Sequence, residues 1–136
     1  MTEKTKMTAE EIQEALPHFY GSVEFHKFSM LFSRHLLTDG AKFIAEECGA
    51  YWLMDILGSY TRKVGRQVFQ VWTLKRLGKN CKNDAVVTCE DGNGNQLVRQ
   101  FIPYTDFPLD EITLWCTKSY NENGQPFFTV MLPSEY

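Results

Sequence analysis

The pattern of apolar and polar residues predicts helices in the first half of the chain. Thr8 and Glu11 have the spacing of a capping box, in which both side chains bond free amides at a helix start, so we predict a helix over 8–16. A longer helical stretch begins at the Thr-Asp pair 38–39, and either residue can serve as its N-cap. Its second part, 50–58, is apolar on nearly every side, which is typical of a helix that is buried all round.

The second half of the chain predicts β-strands. Five segments combine β-branched and aromatic residues with alternating polarity: 68–77, 85–90, 96–102, 112–118 and 126–132. The sequences DGNGN and NENGQ supply the Asp-Gly and Asn-Gly pairs that tolerate the positive φ of tight hairpins. We therefore predict a single α+β domain over 1–136, with an antiparallel β-meander of four to five strands and helices packed on one face.

The segment between the helices, 18–37, follows neither a strand nor a helix period for long. We expect extended segments near 23–27 and 33–37, although a loop fits the same residues. The polar residues 1–6 are expected to be disordered.

Charge and composition exclude several classes of protein. A net charge of -3 gives no basic surface for nucleic acid, and no apolar run is long enough to cross a bilayer. The first residues are too polar for a signal peptide, so we expect a cytoplasmic protein. The four cysteines contain no CxxC pair, and we expect neither disulfides nor zinc.

Metal and cofactor motifs are also missing from the sequence. His18, His26 and His35 are too far apart for a local metal motif. The DGNGN turn begins like a calcium-binding loop, but Gln96 and Ile102 stand where that loop needs a glycine and a bidentate acid. We expect no metal and no cofactor.

Three aspartates are the candidates for acid-base chemistry. Asp39 fits a helix cap, Asp106 fits an Asx turn between Pro103 and Pro108, and Asp55 is the charged residue of the apolar helix. A buried Asp55 must find hydrogen-bond donors, because an unpaired buried carboxylate is costly. The alternative to a purely structural role is an acid-base or metal-assisted enzyme that uses Asp55 with Asp39 or Asp106.

The side of the sheet away from the helices is the candidate binding surface. If Leu114 and Cys116 face the helices, Thr113 and Trp115 point the other way. We predict a partner-binding face that contains Trp115, Thr113, Val98, Ile102 and Phe127, with Met131 replacing Phe127 in another register. Either the N-terminal helix covers this face, or a protein partner or a second copy of the chain does.

Several segments together resemble the DUF6876 family of short, uncharacterised bacterial proteins that also occur on plasmids, integrative elements and phages. The segments are LTDGAKFIAEECGAYWLMDIL, FQVWTL, CEDGNG, YTDFPL and LPSEY, and the resemblance covers about Leu16 to Tyr136. It implies a bacterial, mobile-element protein, and it implies no catalytic residue or cofactor. Our leading hypothesis is therefore a non-enzymatic protein-binding module that acts on host machinery.

Overall fold

Helices pack on one side of a seven-stranded sheet in the computed structural model, which describes residues 7–21, 24–78 and 83–136. The helices are α1 (Ala9–Ala15), α2 (Asp39–Glu47), α3 (Tyr51–Ser59) and α4 (Thr61–Val64), with 3-10 turns at Leu16–His18 and Pro133–Glu135. The strands are β1 (His26–Lys27), β2 (His35–Leu37), β3 (Phe69–Arg76), β4 (Ala85–Glu90), β5 (Gln96–Ile102), β6 (Glu111–Tyr120) and β7 (Pro126–Met131). The predicted α+β class is confirmed.

The first helix begins as the sequence predicts. The Glu11 amide donates to the Thr8 hydroxyl at 3.2 Å, and the Thr8 amide donates to the Glu11 carboxylate at 3.1 Å. The α-helix ends at Ala15 and continues as a 3-10 turn that contains Pro17, which has no amide proton for a further helical bond. The predicted disorder of residues 1–6 lies outside the described residues.

The long helical stretch is divided in two. Thr38 is the N-cap of α2, and its hydroxyl accepts from the Ala41 amide at 3.2 Å. Gly49 has a φ of +59°, a left-handed conformation that ends α2 and suits glycine. The prediction that 50–58 is buried all round is wrong: Asp55 is exposed, because α3 lies on the sheet with one side turned to solvent.

The strand order corrects the predicted meander. The sheet runs β1-β2-β7-β6-β3-β4-β5, so β6 pairs with β3 and not with β5, which precedes it in the chain. The five longer strands lie where the pattern predicts them, and β2, which is parallel to β7, and β1 bring the number to seven. These two strands have three and two residues, too few for a hydrophobic period to identify. Part of the predicted 23–27 segment lies outside the described residues.

One side of the sheet carries the core. Trp72, Leu74 and Leu114 point towards the helices and join the buried cluster formed with α1, α2 and α3. Gln70 is a buried polar residue on this side, and it has hydrogen-bond partners: its amide donates to the Val64 carbonyl at 3.2 Å, and its oxygen accepts from the Trp72 indole at 2.8 Å.

A β-bulge decides which side of the sheet each residue of β5 faces. The turn pairs Glu90 with Gln96, but the register shifts between Cys89 and Glu90, so that Cys89 pairs with Val98. The bulge places one additional residue in β5. Without it, Val98 would pair one position earlier on β4 and would face the opposite side of the sheet. The bulge therefore turns Val98, which is 3% exposed, into the core.

Candidate functional site: the open face of the sheet

The side of the sheet opposite the core is the candidate site. The strand registers place on it a set of aromatic, aliphatic and threonine side chains, which we call the open face: Phe69, Val71, Thr73, Val86, Thr88, Phe101, Thr113, Trp115, Thr117, Phe127, Thr129 and Met131. Of the predicted partner-binding residues, Trp115, Thr113 and Phe127 lie here. The prediction is wrong for Val98 and Ile102, which pair with Cys89 and Ala85 and face the helices.

Three aromatic rings form the centre of the open face. The Trp115 ring lies 5.1 Å from the Phe69 ring and 5.4 Å from the Tyr136 ring, measured between centroids, and all contacts are edge-to-face. Tyr136 remains 80% exposed, whereas Trp115 is half-buried between its neighbours. The cluster therefore presents an aromatic surface that is ordered by its own ring contacts.

The N-terminal helix does not cover the open face, which corrects one of the two predicted alternatives. Ile12 of α1 is fully buried in the core cluster, and Met7, Ala9 and Leu16 pack against the same cluster. No residue of the open face belongs to that cluster among the described residues. The C-terminal turn supplies Tyr136 as the ring that packs on Trp115.

The C-terminal turn is held in place by a carboxylate that sequence reasoning missed. Glu135 accepts hydrogen bonds from the Thr38 hydroxyl at 2.6 Å, the Gly40 amide at 3.0 Å and the Leu132 amide at 2.9 Å. A side chain on residue 40 would collide with Glu135 and Leu132, so this approach requires glycine. The segments LTDG and LPSEY, far apart in the chain, thus form one contact that positions Tyr136.

The three candidate aspartates have separate surroundings. Asp39 is the first residue of α2, and its Oδ1 lies 2.9 Å from Nε2 of His26 on β1. Asp55 is exposed and lines a shallow hollow beside Phe32. Asp106 is exposed in the loop before β6, and the Asx turn predicted for it is absent: the Thr105 hydroxyl accepts from the Phe107 amide at 3.1 Å instead.

The ionisable groups provide no assembled catalytic constellation in the part of the chain that the structure describes. Among those residues, no group of three or more histidines, cysteines or acids could hold a metal ion. Burial raises the pKa of the Cys48 thiol to about 12, with the Glu47 charge adding to the effect, and the pKa values of Cys89 and Cys116 are raised to about 12 in the same way. These thiols stay protonated and therefore behave as small apolar side chains. Cys81 lies outside the described residues.

Charges of both signs surround the open face. Lys75 and Glu111 are cross-strand partners on this side, and Glu90 and Arg99 extend from it near the β5 edge. Lys27 of β1 lies on the same side, because it pairs with the neighbour of Thr129 on β2. Among the described strand residues, three basic and two acidic groups therefore surround an apolar centre. This arrangement is typical of a surface that binds by apolar contact rather than by a field of one sign.

Comparisons with known proteins identify a family. A family model described as "Family of unknown function (DUF6876)" matches residues 10–136 of the chain. No curated protein and no solved structure gives a significant match. In the described residues, none of the helices has both the length and the apolar character needed to cross a bilayer.

Proposed function

Since the chain belongs to the DUF6876 family, for which no function is described, we propose on the geometry of the open face that it is a non-enzymatic protein-binding module. The observation that carries this proposal is the aromatic cluster of Phe69, Trp115 and Tyr136 on a sheet face that the described helices leave uncovered. Antiparallel sheets with one solvated face normally alternate apolar and polar residues, with the polar residues outside. An outer face that is aromatic at its centre is instead typical of an interface.

The size of the open face favours a reversible complex. Five strands spaced about 4.8 Å apart, each with about seven residues of about 3.3 Å, give a face of about 24 by 23 Å, or about 550 Å². A standard stable interface buries about 800 Å² on each partner. We therefore infer a transient complex with another protein, and a homodimer through this face would be weak as well.

The setting of this interaction is part of the same proposal. The family resemblance supports a bacterial, cytoplasmic protein associated with mobile elements, and the partner would then belong to the host machinery. The enzyme alternative loses support, because Asp39, Asp55 and Asp106 each have a separate set of neighbours.

The test compares two substitutions on β6. Trp115→Thr removes the central ring of the open face and keeps a good strand former, whereas Tyr120→Thr removes an exposed aromatic whose register places it on the other side of the sheet. A protein that the tagged wild-type chain captures from a bacterial lysate is purified first. Its complex with each variant is then reconstituted and measured by light scattering and by calorimetry.

We expect Trp115→Thr to weaken the complex at least about tenfold, as the loss of an aromatic interface residue commonly does, and Tyr120→Thr to leave it unchanged. Equal binding by the wild-type chain and a folded Trp115→Thr variant would overturn the proposal. Circular dichroism and thermal unfolding of both variants establish that the fold is intact.

A further inference from the structure

A cavity of about 460 Å³ lies on the helix side of the sheet, so it is separate from the open face. It is bounded by the loop that contains Phe32 and Arg34, by His35 of β2 and Phe128 of β7, and by the start of α4 at Arg62. Its volume is within the range of small-molecule sites, about 300 to 1,000 Å³.

His35 is a buried polar residue that lines this cavity without a protein partner. It is 5% exposed, its ring stacks on Phe128 at 4.7 Å between centroids, and the Phe32 ring meets it edge-on at 6.3 Å. Neither ring nitrogen has a hydrogen bond to any described residue. Burial lowers the pKa of His35 to about 4, so the neutral ring offers one donor and one acceptor.

Two arginines give the cavity a positive charge. Arg34 donates from Nη1 to the Pro126 carbonyl at 3.2 Å, which leaves its other N–H groups available. Arg62 has no hydrogen bond or ion pair with any described residue. None of the described residues that line the cavity is a carboxylate, and Asp55 lines an adjoining hollow instead. Guanidinium groups match phosphate oxygens in geometry and charge.

The walls between these polar groups are aromatic. Phe32 lies against α3 because residue 58 is glycine: a side chain there would come within 2.6 to 2.9 Å of the Phe32 ring carbons. Phe32, which is half-buried, therefore provides a flat apolar surface beside the two arginines, whereas Phe128 is 3% exposed and already stacks on His35. A ligand that fits both features has a charged phosphate and a planar apolar body.

We propose that this cavity binds a small aromatic phosphate monoester. The phosphate lies between Arg34 and Arg62, the aromatic body lies against Phe32, and a ring nitrogen of His35 hydrogen-bonds the ligand. One such ligand gives the His35 ring a hydrogen-bond partner and pairs the exposed Arg62 guanidinium with an anion.

Phenyl phosphate is the probe, with inorganic phosphate and phenol as its two separate parts. Binding to the full chain is measured by calorimetry and by ligand-observed NMR at fixed ionic strength. We expect phenyl phosphate to bind at least about tenfold more tightly than either part, because the cavity contacts both its charge and its ring.

Three variants test whether phenyl phosphate binds in this cavity. Arg62→Gln is expected to weaken phenyl phosphate binding at least about tenfold, which is typical of a lost charge-assisted hydrogen bond. His35→Phe keeps a stacking ring, removes both nitrogens, and is expected to weaken binding as well. Arg99→Gln removes the same charge from the opposite side of the sheet and is expected to leave binding within about twofold.

Three results would count against this binding site. An absence of saturable binding of phenyl phosphate to the wild-type chain would overturn the proposal. So would an equal loss in Arg62→Gln and Arg99→Gln, since that would mean a general charge effect. Unchanged binding by a folded His35→Phe variant would contradict the role given to the buried ring.

Discussion

The environment of each residue in this protein depends on the neighbours that the fold places around it. His18, His26 and His35 are alike in the sequence, but His26 lies 2.9 Å from Asp39 and His35 is buried against Phe128. Burial with no charged partner disfavours the protonated ring of His35, whose pKa falls to about 4. The same residue type can therefore hydrogen-bond a carboxylate at a partly exposed position or be a neutral buried group.

His35 makes the stability of the fold dependent on pH. Its folded pKa of about 4 lies below the ordinary value of 6.5, so in this interval the unfolded chain binds a proton that the folded chain does not. The contribution to stability is complete above about pH 6.5 and is lost as the pH falls towards 4, by up to about 3 kcal/mol. Urea unfolding of wild type and His35→Phe at pH 7 and pH 4.5 measures it.

Carboxylates also titrate in this pH range. The effect of His35 is therefore the difference between wild type and His35→Phe in how much the free energy of unfolding changes with pH. We expect the free energy of unfolding of wild type to fall more steeply with acid than that of His35→Phe. Parallel decreases in the two proteins would show that His35 has no such role.

At the scale of elements, the start of α2 depends on the far end of the chain. The Thr38 hydroxyl caps the Ala41 amide and donates to Glu135, whose second oxygen accepts from the Gly40 amide. A carboxylate at a helix N-terminus satisfies unpaired amides and suits the positive end of the helix dipole. The C-terminal turn thus acts as a second cap, supplied from 95 residues away.

Removing the charge of Glu135 should destabilise the protein. In Glu135→Gln the side chain keeps its shape but exchanges a charge-assisted acceptor for a neutral amide, and we expect a loss of about 1 to 2 kcal/mol in the free energy of unfolding. Glu122→Gln in the exposed β6–β7 turn is the matched control and should change stability by less than about 0.5 kcal/mol. Urea unfolding followed by tryptophan fluorescence measures both, and equal stabilities would rule out the cap.

On the scale of the whole molecule, the two sides of the sheet have different environments. Leu114 belongs to the core with α1 to α3, whereas Thr113, the preceding residue of β6, belongs to the open face. A one-residue step along a strand changes the side and therefore the environment. The buried core therefore lies on the helix side, and none of the described residues of the open face belongs to it.

Alanine substitutions at these adjacent positions should distinguish the two environments. Leu114→Ala should cost about 2 to 5 kcal/mol, because it removes buried methyl groups and leaves a cavity in the core. Thr113→Ala should cost less than about 1 kcal/mol, since the residue is half-buried and outside the core cluster. Chemical denaturation of both variants checks the difference, and similar losses would contradict the assignment of the two faces.

Local signals account for the parts of the fold that the sequence predicted correctly. The Thr8–Glu11 box, the Thr38 cap and the bounds of β4 and β5 follow from residues within a few positions of one another. The side of the sheet that Trp115, Thr113 and Phe127 face was predicted correctly, because side chains alternate along each strand and the hairpin turn joins the two strands that carry these residues. Asp55 was placed wrongly, because composition alone does not say which side of α3 meets the sheet.

Local residue patterns specify the α+β class, the starts of α1 and α2 and the five long strands, because capping, alternation and turn chemistry act between residues that are close in the chain. The placement of β6 beside β3, the bulge that buries Val98 and the Glu135 cap on α2 follow instead from the packing of distant segments. The same packing assembles the His35 cavity from three separate segments. Contacts between distant residues depend on how whole elements pack, and no local pattern specifies that packing.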